Sequence, residues 1–222
     1  FAAQDRLDPA VPLPVEYEGK IRAHDGAGLW AEIEELEATD PPEVTAVLLN
    51  LLSSHDTPRF LTFCSGDLDA LRLATLLQLT LPGAPCIYYG DEIGMAGSAD
   101  PDCRRAFPVD PAEWEREPSG WVASLAGLRH SSRAFRDAEL RLLGTDGAAI
   151  AYLRRADDEV FAVVANARDD ELAWDVRLPM AATDASVVPI PGGVAGVRSA
   201  AMVDGALRIR LRRRDGMVIR LA

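Results

Sequence analysis

Two short apolar runs with an amphipathic stretch between them constrain this chain more than any other feature. Val44-Thr-Ala-Val-Leu-Leu-Asn-Leu-Leu52 is apolar at positions that face both sides of an extended strand, and Pro85-Cys86-Ile87-Tyr88-Tyr89 repeats the pattern. Runs of this kind fit strands covered on both faces, as in a parallel sheet. Between them, Asp67 to Leu81 carries Leu68, Leu71, Leu73, Ala74, Leu76, Leu77 and Leu79 at helical spacing and closes on Pro82-Gly83. Strand, helix and strand in this order predict an α/β arrangement.

The flanking segments extend that reading. Residues 1–28 hold Pro9, Pro12 and Pro14 and read as an irregular lead-in, with His24-Asp25-Gly26 as a turn. Leu29 to Glu37 is a helix that Asp40-Pro41-Pro42 stops, because the residue before a proline avoids helical geometry. A long loop from Gly94 to Pro111 leads to a helix from Ala112 to Phe135. After Leu142 the pattern changes to short strands at Ala149–Leu153, Val160–Ala165, Leu172–Leu178, Ser186–Pro189, Ala206–Leu211 and Met217–Leu221. Turn pairs such as Asp157-Asp158, Asp169-Asp170 and Asp204-Gly205 separate them, which predicts an antiparallel sandwich. Two domains are expected, residues 1–141 and 142–222.

Composition removes several classes of function. A formal charge of -12 over 222 residues argues against non-specific binding of nucleic acid. No stretch approaches the roughly 20 apolar residues a membrane span needs, and Phe1-Ala2-Ala3-Gln4-Asp5 shows no signal-peptide pattern; a cytoplasmic location is expected. Cys64, Cys86 and Cys103 have neither disulfide nor zinc spacing and read as small buried thiols. No cofactor or metal is expected. His24-Asp25 and His55-Asp56 invite a metal-dependent phosphohydrolase reading, but such a site needs more ligands than three histidines supply.

Both apolar runs end in polar, titratable clusters, Ser54-His55-Asp56 and Tyr88-Tyr89-Gly90-Asp91-Glu92. Ligand sites of parallel α/β folds gather at such strand ends. Asn50-Leu-Leu-Ser-Ser-His-Asp-Thr-Pro-Arg59 resembles the seventh-strand motif of the α-amylase family, glycoside hydrolase family 13, and Gly83-Ala-Pro-Cys-Ile-Tyr-Tyr-Gly-Asp-Glu-Ile-Gly94 is similar to its eighth-strand motif. Asp100-Pro-Asp-Cys-Arg-Arg105 resembles the next loop in the neopullulanase and cyclomaltodextrinase branch, and a helix bearing Leu125, Leu128 and Arg129 follows. The resemblance implies the last two βα units of a (β/α)8 barrel over residues 1–141, then a β-sandwich C-terminal domain.

It also implies retaining cleavage of α-glucosidic bonds, or the related transfer, on α-glucans or maltooligosaccharides. Asp56 matches the third catalytic carboxylate, His55 an imidazole that bonds a sugar hydroxyl, and Asp100 and Arg104 a loop pair that contacts further sugars. Retaining chemistry also needs a nucleophile and an acid about 5–5.5 Å apart. No Gly-x-Arg-x-Asp string is present; the nearest, Arg154-Arg-Ala-Asp157, lies among strand candidates. None of Glu16, Glu18, Glu32, Glu34, Glu35, Glu37 and Glu43 ends a buried apolar run. The expected partner is therefore the missing N-terminal portion of the same protein, and the chain alone is expected to be inactive. The alternative is a non-catalytic carbohydrate-binding or structural fragment. Tyr88 and Tyr89 are expected in the barrel wall, Asp91 and Glu92 in loop or salt-bridge roles, and Arg212-Arg213-Arg214 in an exposed hairpin turn.

Overall fold

A computed structural model describes residues 24–136, 138–193 and 196–222; most of the proline-bearing lead-in, with Glu16 and Glu18, lies outside them. The first helix, α1, spans Gly26–Thr39. His24-Asp25-Gly26 is not a free turn: the Asp25 carboxylate accepts the Gly28 amide at 2.8 Å and caps α1. The helix therefore begins earlier than its apolar spacing indicates.

The expected strand from Val44 is shorter than its apolar run. Pro42 fits the first position of a helical turn, because its φ is preset and its missing N–H would be unpaired there. A short helix, α2, accordingly occupies Pro42–Thr45. Strand β1 is confined to Leu49–Leu51 and pairs in parallel with β2, Ala84–Cys86, through the registers Leu49↔Ala84, Asn50↔Pro85 and Leu51↔Cys86. Between them lie α3, Phe60–Phe63, and α4, Leu68–Thr80. Asp67 caps α4 by accepting the Asp69 and Ala70 amides at 2.9 and 3.2 Å.

Only one face of this small sheet is covered among the described residues. Asn50 turns toward α4, and Gln78 donates from α4 to the carbonyls of Asn50 at 2.8 Å and Cys86 at 3.0 Å. Neighbouring strand residues alternate sides, so Leu49 and Leu51 point the other way and remain 64% and 50% exposed. The expectation of burial on both faces does not hold here. Nor does the expectation of three buried thiols, since Cys103 is buried, Cys64 half-buried and Cys86 exposed at the end of β2.

Helix α5 spans Arg116–Ser131, with 3₁₀ turns at Pro111–Glu113 and Arg133–Phe135 completing the expected helical region. Arg129 reaches back from α5 to donate to the Leu79 and Leu81 carbonyls at 3.0 Å, satisfying the open end of α4. Trp121 Nε1 donates to the Arg72 carbonyl at 2.9 Å. These two contacts fix α5 along α4.

The β-rich part contains β3 Glu139–Asp146, β4 Ala149–Arg155, β5 Val160–Asn166, β6 Leu172–Arg177, β7 Ala185–Val187, β8 Arg198–Val203, β9 Ala206–Leu211 and β10 Asp215–Leu221. One antiparallel sheet has the order β3-β4-β5-β10-β7 and the other β6-β9-β8. The expected strands are present, and β3 and β8 are additional. Leu153, Val164, Ile209 and Ile219 join the two sheets in one buried apolar cluster.

The opposite face of the larger sheet packs on the helices. Trp30, Leu76 and Trp121 share a core with Tyr152, Phe161 and Val218. Gly216 makes the closest approach possible: a Cβ there would lie 2.2 Å from Leu76 Cδ2 and 3.2 Å from the Val164 carbonyl oxygen. Glycine suits this crossing because an added Cβ would have to displace the Leu76 side chain within the packed interface.

The arginine run does form the β9–β10 turn with Arg213 exposed, while Arg212 and Arg214 are docked. Arg212 makes a bidentate pair with Asp69 at 2.9 and 2.9 Å, and Arg214 pairs with Asp67 and Asp169. Asp67 and Asp69 stand at the N-terminus of α4, so the turn is fastened to that helix.

Candidate functional site

The C-terminal ends of β1 and β2 open into two loops that fold over one another. The first contains a local turn. Asp56 donates its amide to Ser54 Oγ at 3.1 Å, and Ser54 and Thr57 share a hydroxyl contact of 3.3 Å. Serine side chains favour such turns because the hydroxyl accepts an amide two residues on. The turn projects His55 and Asp56 outward, 63% and 69% exposed, with His55 Nε2 3.1 Å from Asp56 Oδ2.

The second loop supplies the opposing side. A 3₁₀ turn at Asp102–Arg104 directs Arg104 under the first loop. Arg104 Nε donates to the His55 carbonyl at 3.0 Å and contacts Asp100 Oδ1 at 2.9 Å, while Nη2 stands 3.7 Å from Asp56 Oδ1. The structure thus brings His55, Asp56, Asp100 and Arg104 into one cluster. The two Asp56 oxygens face different side chains, the His55 ring and the Arg104 guanidinium, so the carboxylate plane is directed from both sides. An exposed carboxylate held in this way can accept hydrogen bonds from a pair of ligand hydroxyls.

Two elements beneath the cluster are less evident in the sequence. Cys103 Sγ, fully buried, donates to the same His55 carbonyl at 3.4 Å. Arg59 is also fully buried and stacks against the adjoining rings of Tyr88 and Tyr89, at 4.7 and 4.8 Å from their centroids. Its Nη1 donates to the Tyr89 carbonyl at 2.6 Å and reaches Asp91 Oδ1 at 3.4 Å. The notable sequence signal was the pair of motifs themselves; that Arg59 and Asp91 meet follows only from the parallel register of β1 and β2.

Asp91 therefore has the salt-bridge role expected of it, and Glu92 a loop role, accepting the Gly90 amide at 2.7 Å. Burial pushes the Asp91 carboxyl up to about 6; the Ser53 hydroxyl and Arg59 oppose that rise and Glu92 adds to it. Burial also lifts the Tyr88 hydroxyl to about 12, with its hydrogen bond to Tyr89 as the next cause. Both tyrosines line the wall beneath the loops, Tyr89 donating to the Arg105 carbonyl at 2.8 Å.

Residues tied to the missing carboxylates lie elsewhere. Asp157 sits in the β4–β5 turn, 96% exposed and 3.8 Å from Arg133. Arg154 is buried, with Nε donating to the Ala134 carbonyl at 2.8 Å. Among the described residues, no group of three or more His, Cys, Asp or Glu side chains is arranged to hold a metal ion, and no helix is long and apolar enough to cross a membrane.

Known proteins share both the sequence and the architecture. Residues 28–168 match the family model for the alpha amylase catalytic domain. A cyclomaltodextrinase of Geobacillus thermopakistaniensis (strain MAS1) is 40% identical over 142 residues, which are 63% of this chain and 24% of that protein. Neopullulanase 2 of Thermoactinomyces vulgaris is 39% identical over 151 residues, 67% of this chain and 26% of that protein. The native-form structure of the Nostoc punctiforme debranching enzyme superposes with a TM-score of 0.81 at 28% identity, over 97% of this chain and 44% of that one. The chain spans about a quarter of the length of these curated relatives. With both strand-end motifs inside the matched region, this chain belongs to the α-amylase family of glycoside hydrolases.

Proposed function

We propose that this chain is the C-terminal portion of a retaining α-glycosidase acting on α-glucans or maltooligosaccharides. In this reading β1 and β2 are the last two strands of a (β/α)8 barrel, and the paired sheets form its β-sandwich C-terminal domain. Asp56 serves as the third catalytic carboxylate, binding sugar hydroxyls and favouring ring distortion toward an oxocarbenium-like state. His55 bonds a hydroxyl beside it, and Asp100 and Arg104 contact sugars further along the cleft.

The observation that carries this reading is the meeting of His55, Asp56, Asp100 and Arg104 at the ends of two parallel strands. A nucleophile and an acid must come from outside this set. Asp91, a carboxylate beneath the loops, is buried and paired with Arg59. The uncovered Leu49 and Leu51 face supports the same conclusion, because two strands cannot close a barrel. The chain is accordingly incomplete alone and is found with the N-terminal portion of the same protein. The three free cysteines agree with a cytoplasmic location.

Asp56→Asn in the complete enzyme tests the assignment. The expected result is a kcat for maltooligosaccharide hydrolysis lower by roughly 10³-fold or more, with an unchanged melting temperature. Normal turnover in that variant would remove Asp56 from the mechanism. The isolated chain is expected to hydrolyse nothing, and measurable turnover by it would overturn the division of carboxylates. The competing reading is a non-catalytic carbohydrate-binding fragment built on the same cluster of His55, Asp56, Asp100 and Arg104. It requires maltotriose binding with no turnover even when the N-terminal portion is present.

A further inference from the structure

The loop that presents Asp56 begins at Ser53 and ends at Arg59, and both residues meet the same buried carboxylate. Ser53 is buried, accepts the Phe60 amide at 2.8 Å, and offers its hydroxyl to Asp91. Arg59 reaches Asp91 from the other end of the loop at 3.4 Å. Its Nε and Nη2 have no hydrogen-bond acceptor among the described residues, so the guanidinium is a buried cation that is only partly satisfied. Burying such a group is costly, and Asp91 is the charge that holds it in place.

We propose that Asp91 is a positioning residue for Asp56: its ionised carboxylate holds Ser53 and Arg59 in register and so fixes the loop that carries Asp56 at the end of β1. The proposal rests on the catalytic reading of Asp56 given above. It differs from a purely structural role in its thermodynamic sign. Burial raises the Asp91 carboxyl from 3.8 to about 6, even with Arg59 and Ser53 favouring the ionised form and Glu92 opposing it. A raised carboxyl gives stability that is full below the unfolded value of about 3.8 and lost as pH rises through about 6. Ionised Asp91 therefore costs the fold free energy while organising the loop. A pair retained only for stability would carry the opposite sign.

The test compares the complete enzyme with its Asp91→Asn variant across pH, together with amide hydrogen exchange of residues 53–60 corrected for intrinsic rates. In the wild type, kcat is expected to fall as pH drops through about 6. In the variant, kcat at neutral pH should be about tenfold lower or more, with KM nearly unchanged and the acidic limb near 6 absent. Exchange of residues 53–60 in the variant should quicken by about tenfold. Wild-type kcat and exchange in the variant would overturn the proposal, as would wild-type exchange that is indifferent to pH. If the complete enzyme cleaves no α-glucan, the catalytic reading fails separately and the exchange experiment alone decides the role of Asp91. The wild-type pH series requires no variant, so it decides even where Asp91→Asn does not fold.

Discussion

The five-stranded and the two-stranded sheets handle their apolar residues in opposite ways. The five-stranded sheet is covered on both sides, by helices carrying Leu76 and Trp121 and by the sheet that contributes Leu207 and Ile209. Its inner strands β4, β5 and β10 are buried nearly throughout, β4 from Ala149 to Arg154. The two-stranded parallel sheet is covered only by α4 among the described residues, and it leaves Leu49 and Leu51 open. Yet the candidate chemistry stands at the ends of the two-stranded sheet and not on the larger one. The larger buried core and the candidate site thus lie in different parts of the chain. Relatives of which this chain spans only about a quarter fit that division.

The comparison can be broken or sharpened by matched substitutions in the isolated chain. Leu76→Ala in the closed core should cost about 3 kcal/mol by denaturant unfolding, because a fully buried side chain leaves a cavity its neighbours cannot fill. Gly216→Ala should cost about 1–2 kcal/mol, since the new methyl must displace Leu76 within a packed interior. Leu51→Gln on the open face should change stability by less than ~0.5 kcal/mol and improve solubility. The same Leu51→Gln should weaken association with a co-expressed N-terminal portion, measured by co-purification. A loss from Leu51→Gln as large as that from Leu76→Ala would show that the open face is covered within the chain itself, and the contrast would collapse.

Much of this division was legible in the residues. The spacing from Asp67 to Leu81 gave α4 almost to its ends, because Asp67 is a natural cap and Pro82 ends the helical register. The hairpin strands were legible for the same reason, as turn residues mark their ends. Strands β3 and β8 were not, since Arg198-Ser-Ala-Ala-Met-Val203 is weakly apolar and becomes a strand by pairing with β9. The run from Val44 was read as extended, but Pro42 and the short partner β2 limited it to three paired residues. The docking of Arg212 and Arg214 leaves no trace in the local sequence because their partners, Asp69 and Asp67, lie 143 or more residues earlier.

The sequence by itself determined the order of elements and the two strand-end motifs. Those depend on local spacing and on residue identity, which a chain carries without folding. Only the tertiary structure decided that Arg104 reaches under His55, that Arg59 and Asp91 meet in a buried pair, and that one face of β1 stays open. Such contacts depend on the parallel register of β1 with β2 and on which faces α4 and α5 cover. Long-range geometry of that kind leaves no periodic trace in the residues themselves.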